Sequence, residues 1–166
     1  MKRLKLFYVK EQYICYLRKF EHKISENQNS RRPYCGAVIF NQKILYFIPF
    51  SSPKEKYKKM RNSLDIEKIW NGDCGILNLN NMIPVPEQEI QEVNISQIED
   101  EKYRRLLKRQ ADYIRAYSEK IQNKAGKLYD LVVKGQPRNS HEKNILARCC
   151  DFMKLEKEMQ HYKKRF

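Results

Sequence analysis

The stretch Ile44-Leu45-Tyr46-Phe47-Ile48-Pro49-Phe50-Ser51-Ser52-Pro53-Lys54 constrains the fold most. Its leading apolar run, β-branched and aromatic, suits a core strand. Pro49 has no amide to give a ladder, so regular pairing is expected to stop there. Pro53 biases Ser52 out of the helical region and stiffens the turn. Two hydroxyls and an ammonium are thus presented on a short loop at the end of a core strand. The plainer reading is that Ser51 and Ser52 only turn or cap the chain, because Ser-Ser-Pro is a common turn string.

At 166 residues the chain suits one domain, sheet-rich over 1–98 and helical over 99–166. Its 34 basic residues against 20 acidic give a net charge of +14. Folding does not need such an excess; it points to a polyanionic partner, nucleic acid before anionic membrane. Eleven tyrosines can fill a core or stack on bases. The five cysteines are odd in number, and Cys149 and Cys150 are adjacent, so no disulfide framework suggests itself. Neither a C-x-x-C pair nor any zinc-ligand spacing occurs, which suits reduced thiols, a cytoplasmic setting and no metal or cofactor. The apolar run Leu6-Phe7-Tyr8-Val9 is too short for a signal peptide or a membrane span.

Along the chain, Leu4 to Val9 reads as a strand and Gln12 to Lys23 as a helix with Tyr13, Tyr16, Leu17, Phe20 and Ile24 on one stripe. Tyr13 either packs inward with that stripe or, from the helix start, reaches a site. A polar loop follows, closed by Arg31 and Arg32. Cys35 to Phe40 and Lys43 to Ile48 make a hairpin about Asn41-Gln42. Lys54, Lys56, Lys58, Lys59 and Arg61 then form either a solvated basic loop or a phosphate-tracking one. Ile66 to Trp70 reads as a short strand, and Asn71-Gly72 turns the chain. Cys74–Leu79 and Met82–Val85 look hairpin-like, and Glu89 to Ile95 alternates as a last strand.

Helices are expected from Glu101 on. Tyr103, Leu107, Gln110, Ile114, Tyr117 and Ile121 repeat at threes and fours on a core face of one helix over 101–121. Arg104, Lys108 and Arg115, with Arg105 and Arg109 beside them, give a basic flank roughly three turns long. A shorter helix over 124–134 and a final one capped by Ser140 complete the chain. Strands first and helices last, without βαβ alternation, predict an α+β fold with a mostly antiparallel sheet.

A hydroxyl-lysine loop suits phosphate chemistry. RNA brings its own nucleophile, the 2′-hydroxyl, so orientation and charge stabilisation can supply most of the catalysis. Lys54 can neutralise a non-bridging oxygen, Ser51 and Ser52 can donate to the same phosphate, and Tyr13 can orient the nucleophile or leaving oxygen. The same groups also serve simple phosphate binding. No Walker or Rossmann glycine string is present.

These residues resemble the ToxN/AbiQ family of type III toxin–antitoxin endoribonucleases. The matching strings are Phe7-Tyr8 with Tyr13, Gly36-Ala37-Val38 through Tyr46 to Pro49, and Ser51-Ser52-Pro53-Lys54. Further on come Gly75-Ile76-Leu77-Asn78-Leu79, Met82-Ile83-Pro84, Tyr103-Arg104-Arg105 and Ile114-Arg115-Ala116. The first hydroxyl of the loop is often threonine in the family; here it is Ser51. The last helix carries no matching string.

The resemblance implies a strongly twisted, partly barrel-like antiparallel sheet flanked by helices, with a MazF/Kid-like core. It implies sequence-specific, metal-independent RNA cleavage to a 2′,3′-cyclic phosphate and a 5′-hydroxyl, with Tyr13, Ser51, Ser52 and Lys54 as the active site. The partner would be a structured, repeat-derived RNA antitoxin, which the toxin also processes, in a closed RNA–protein assembly. A protein antitoxin is not expected. The setting would be the bacterial cytoplasm and phage defence. Its RNA groove would run from Arg31 and Arg32 past Lys54–Arg61 to the flank Arg104–Arg115. The rival readings are a non-catalytic basic RNA-binding protein and a DNA-binding regulator, the latter lacking a helix-turn string before Glu101.

Overall fold

Strand β3, Ile44–Ser51, is the hub of the sheet. The computed structural model describes residues 4–40 and 44–165, the side chains of residues 37–40 excepted. On one edge β3 pairs antiparallel with β2, Tyr34–Phe40. On the other it meets β6, Ile83–Pro84, at Tyr46 and Phe47, and β5, Ile76–Asn78, at Phe50 and Ser51. Strand β1, Lys5–Val9, extends the sheet beyond β2, and β7, Ile90–Glu92, lies beyond β1. Strand β4, Ile66–Lys68, lies beyond β5. The result is a seven-stranded sheet of order β4-β5-β3-β2-β1-β7, with β6 beside β3. The expected Asn41-Gln42 connection lies outside the described residues.

Two expectations about this sheet fail for local reasons. Pairing does not stop at Pro49: it sits opposite Tyr34, and the strand runs on to Ser51. The Phe50 amide donates across to Pro33 on the β2 edge, so alternation turns the imide position of Pro49 to the other edge. That edge passes from β6 to β5 between Phe47 and Phe50, so no ladder bond is lost there. The second failure is the hairpin expected between Cys74–Leu79 and Met82–Val85. Strands β5 and β6 both pair with β3 instead, joined by a 3-10 turn at Leu79–Asn81.

The helices divide more finely than the sequence suggests. Helix α1 is Glu11–Arg18, shorter than expected, and leaves Phe20 37 % exposed. A short helix α2, Glu55–Lys59, follows the loop. The helix expected over 101–121 is α3, Glu101–Ala116; it breaks at Tyr117, and α4 runs Ser118–Lys134. Tyr117 is accordingly exposed rather than in the core. The expected last helix is also two, α5 Ser140–Arg148 and α6 Phe152–Arg165. Asn139, not Ser140, caps α5, accepting the Glu142 amide at 2.9 Å.

The helical segment and the sheet share one core. Leu6, Phe47 and Leu77 from the strands are packed into it with Leu107, Ile121, Phe152 and Leu155 from the helices. Two carboxylates with no side-chain exposure stitch the layers together. Asp65 meets Arg148 through two bonds of 2.9 and 3.0 Å, and Glu67 meets Lys120 and Lys124 at 2.8 and 2.7 Å. Burial alone pushes both carboxyls up, but their cations and the hydrogen bonds from Ser63, Asn80 and Tyr113 outweigh it and hold both below the ordinary range. Among the described residues no helix is long and apolar enough to cross a membrane.

Candidate active site

The Ser51–Lys54 loop is held by its neighbours rather than by its own bonds. Behind it runs a turn in which Trp70 and Asn71 are left-handed and Gly72 and Gly75 have φ of 92° and 86°. A Cβ at Gly75 would lie 1.9 Å from the Ser51 carbonyl oxygen, so only glycine lets the turn press on the loop. Helix α3 in turn fixes the turn. Gln110 Nε2 donates to the Cys74 carbonyl and Trp70 Nε1 to the Arg109 carbonyl, both at 3.0 Å.

Within this corner the hydroxyls differ. Ser51 is half-buried, and its Oγ accepts from Asn78 Nδ2 at 2.7 Å. That bond uses the oxygen as an acceptor and leaves the hydroxyl proton to donate. Ser52, Pro53 and Lys54 are exposed. Lys54 is the extended residue before α2, with its Nζ 6.0 Å from the centroid of the buried Tyr57 ring.

Arg32 is locked beside the loop. Its Nη1 donates to the Phe50 carbonyl at 2.8 Å and its Nε to Glu26 O at 2.6 Å. The left-handed run Gln28-Asn29-Ser30 shapes the segment that carries it. Glu11 and Ser30 exchange backbone-to-side-chain bonds of 2.9 and 3.1 Å, and the Arg32 amide donates to Asn27 O.

Two adjoining cavities open at the loop. The smaller, about 40 Å³, is lined by Ser52, Arg32, Gln28, Phe50, Gln110 and the Tyr103–Leu106 edge of α3. The larger, about 590 Å³, has Pro53, Asp73, Asp100, Lys102, Arg105 and Arg109 with the same Tyr103 and Leu106. Ser52 and the fixed Arg32 guanidinium thus line one cavity, on a loop that also carries Ser51 and the exposed Lys54, which suits binding and charge neutralisation of a phosphate.

The family description "Toxin ToxN, type III toxin–antitoxin system" fits residues 5–160. The chain belongs to the ToxN/AbiQ family. Among its relatives, endoribonuclease ToxN of Bacillus thuringiensis subsp. kurstaki is 35 % identical over 166 residues, covering 95 % of this chain and 83 % of the relative. Endoribonuclease AbiQ of Lactococcus lactis subsp. lactis is 34 % identical over 175 residues, covering 98 % and 91 %. A solved structure from a study of type III toxin inhibition by a non-coding RNA pseudoknot superposes with TM-score 0.84 at 33 % identity, covering 98 % of this chain and 99 % of the other. The structure of AbiQ, a lactococcal anti-phage endoribonuclease, superposes with TM-score 0.81 at 30 % identity and the same coverage.

In this ToxN-family chain the sequence-expected residues scatter more widely than one groove. Tyr13 is not at the loop. It is fully buried, its ring 4.9 Å from that of Tyr162, and its hydroxyl donates to the Pro84 carbonyl at 2.6 Å. Pro84 pairs with Tyr46, and Ser51 lies about 16 Å further along β3 at five residues of extended chain. Burial, with Glu89 nearby, pushes the Tyr13 hydroxyl pKa well up.

Among the basic residues, Arg32, Arg105 and Arg109 line the cavities. Arg31 is exposed beside them, and its carbonyl accepts the Tyr103 hydroxyl at 3.4 Å. Lys56, Lys59, Arg61 and Lys108 are exposed. Lys58 ion-pairs with Glu55 and Asp73 at 3.3 and 3.9 Å. Arg104 is drawn down to the Ile98 carbonyl at 2.7 Å. Arg115 pairs with Asp112 and lines a different cavity, with Lys5 and Glu92. The basic flank expected along α3 is therefore split, because Arg104 and Arg115 face other partners.

Tyr103, Lys102 and Gln28, which line the cavities, and Asn78, which bonds Ser51, are not marked as candidates by the sequence. Lys102, Arg105 and Arg109 do have helical i, i+3, i+7 spacing, but so many cations stand on α3 that the spacing did not stand out. Among the described residues no group of three or more His, Cys, Asp or Glu side chains is placed to hold a metal.

Proposed function

We propose that this chain is a metal-independent endoribonuclease that cleaves RNA at the Ser51–Lys54 loop. The observation that carries it is that Ser52 shares a cavity with the fixed Arg32 guanidinium, on the buttressed loop that also carries Ser51 and Lys54. The 2′-hydroxyl of RNA attacks the adjacent phosphorus, and the 5′-oxygen leaves with a proton. The products are a 2′,3′-cyclic phosphate and a 5′-hydroxyl. Lys54 neutralises a non-bridging oxygen, while the Ser51 and Ser52 hydroxyls donate to the same group. Tyr13 belongs to the core in this scheme. The sheet of such an enzyme carries the barrel-like curvature of MazF/Kid-type toxins, within a single domain.

The same reading supplies the partner. One solved relative comes from work on toxin inhibition by a non-coding RNA pseudoknot, and another from an antiviral system regulated by a processed non-coding RNA. This toxin is held in check by a structured RNA antitoxin that it processes itself. Toxin chains and RNA units alternate in a closed assembly, and the system acts in bacterial cytoplasm against phage. The charge of +14 fits that partner. The contacts come from Arg31, Arg32, Lys56, Lys58, Lys59, Arg61 and the groove-facing side of α3. Antitoxin affinity falls by ~10³–10⁵ from low to moderate salt if six to ten phosphates are contacted.

The test is cleavage of purified RNA in excess chelator, followed by analysis of the new ends. Cyclic-phosphate ends support the scheme; loss of activity restored by Mg²⁺ overturns it. A non-catalytic RNA-binding protein shares the charge but has no use for the loop, and then Ser52→Ala leaves toxicity unchanged. Co-expression with the native upstream DNA tests the partner: a single RNA of uniform length co-purifies, whereas a protein antitoxin contradicts the reading.

A further inference from the structure

We propose that the larger cavity beside Ser52 is a nucleobase subsite that selects bases bearing an exocyclic amino group. The inference rests on the ribonuclease reading above and adds what the enzyme recognises beside its scissile phosphate. Its volume, about 590 Å³, falls within the range of small-ligand pockets, whereas the neighbouring cavity of about 40 Å³ has no room for a base. Tyr103 and Leu106 border both cavities, and Pro53 follows Ser52 directly. A nucleotide with its phosphate on the loop therefore has its base, or its neighbour's base, at the mouth of the larger cavity.

The chemistry of the walls separates the two cavities. The small one has Arg32 and Ser52 and no carboxylate. The large one has Asp73 and Asp100 facing its cations, and Glu101 ion-pairs with Arg105. A phosphate in the large cavity meets near-balanced charge and two repelling carboxylates. A base meets Pro53, Tyr103 and Leu106, surfaces on which a ring can stack. Asp100 spends one oxygen capping α3, on the Tyr103 amide at 3.0 Å, and Asp73, 55 % exposed, meets Lys58 at 3.9 Å through one oxygen, which leaves an oxygen on each to accept. Carboxylate oxygens accept from the amino groups of cytosine, adenine or guanine. Uracil has no amino group to give.

The experiment uses the full chain and short RNAs that differ only in the bases flanking the cut. Wild type cleaves amino-bearing bases about tenfold or more faster than uracil at one flanking position. Asp73→Ala with Asp100→Ser brings the ratio of amino-bearing to uracil rates at that position close to one, whatever the common change in RNA affinity, serine keeping a capping oxygen for α3. Leu106→Trp fills the cavity and raises KM at that position for every base. Unchanged discrimination at every position in the carboxylate variant overturns the subsite. Binding of 2′-deoxy versions, which lack the nucleophile, is read in parallel by fluorescence anisotropy. If no RNA is cleaved, the ribonuclease reading fails by itself. Base-dependent binding that the carboxylate variant erases still supports the subsite, and base-independent binding overturns it.

Discussion

Tyr13 on α1 and Tyr103 on α3 each stand near the start of a helical stripe, and the fold uses them in opposite ways. On the α1–α6 side, Tyr13, Tyr16, Tyr46 and Tyr129 are buried in the core. Their hydroxyls go to the Pro84 carbonyl, to Glu158 and, for the last two, to one oxygen of Glu156. On the α3 side, Tyr103 leaves its ring on the wall of two cavities. Its hydroxyl also has protein partners, the Arg31 carbonyl and Tyr8, and burial first, then Tyr8, pushes its pKa up. The difference lies in what covers the ring. Helix α6 lies over Tyr13, whereas the groove beside α3 is left open next to the loop. A tyrosine's place on a stripe thus says which face it shares, and the next layer decides whether that face is closed.

The sharpest break of this contrast is at the loop. Lys54→Ala and Ser52→Ala each lower cleavage by ~10²–10³, about 3–4 kcal/mol of transition-state stabilisation, on the scale of one lost oxyanion donor. Both residues are exposed, so thermal unfolding stays within experimental scatter of wild type. Retained toxicity in both folded variants removes the loop from the mechanism.

The next largest effect tests the wall behind the loop. Gly75→Ala puts a Cβ against the Ser51 carbonyl and asks alanine to hold φ of 86°. The expected loss is about 2–3 kcal/mol of stability, combining left-handed strain and overpacking. Activity falls further than stability, because relief of the clash displaces Ser51 and Ser52. Equal stability and equal kcat for this variant contradict the buttress.

The loop was legible because its chemistry and its punctuation lie together in sequence: a β-rich run, two hydroxyls, a proline and a lysine. The antiparallel α+β class was legible from strands preceding helices. What escaped reading depends on contacts distant in sequence. Asn78 reaches Ser51, and Arg32 reaches Phe50, only because β2, β3 and β5 lie side by side. The break at Tyr117 carries neither glycine nor proline, so no local signal marks it. For Tyr13 the sequence leaves two places open, the core stripe or a site, because a residue beginning a helix after a strand can point either way; packing against Tyr162 of α6 turns it inward.

A smaller effect separates the stitched side from the open one by pH. Asp65 and Glu67 titrate lower in the folded chain than unfolded, so folding favours their charged forms. Their stabilisation is complete above the ordinary carboxylate value of about 4 and is lost as pH falls through the lower folded values. Unfolding free energy therefore drops more steeply with acid below that point than for Asp65→Asn. With Arg148 45 % exposed, solvent screening limits the variant's cost at neutral pH to about 1–2 kcal/mol. Parallel acid profiles in wild type and variant rule out Asp65 as a source of the slope.

The smallest effect bears most directly on the contrast between the flanks. Tyr13→Phe keeps the ring against Tyr162 and removes only the donor to the Pro84 carbonyl. One buried hydrogen bond is lost, and a buried acceptor is left without that donor, so stability falls by about 1–2 kcal/mol. Cleavage stays within twofold of wild type once both proteins are assayed well below their unfolding temperatures, because the hydroxyl is sealed in the core. Tyr103→Ala, on the open side, reverses the pattern: KM for RNA rises while unfolding changes little, since the ring is only half-buried. Measured together, kinetics and melting place each tyrosine on its side. A folded, fully stable Tyr13→Phe that no longer cuts RNA returns Tyr13 to the catalytic set, and then α6 must move aside during the reaction.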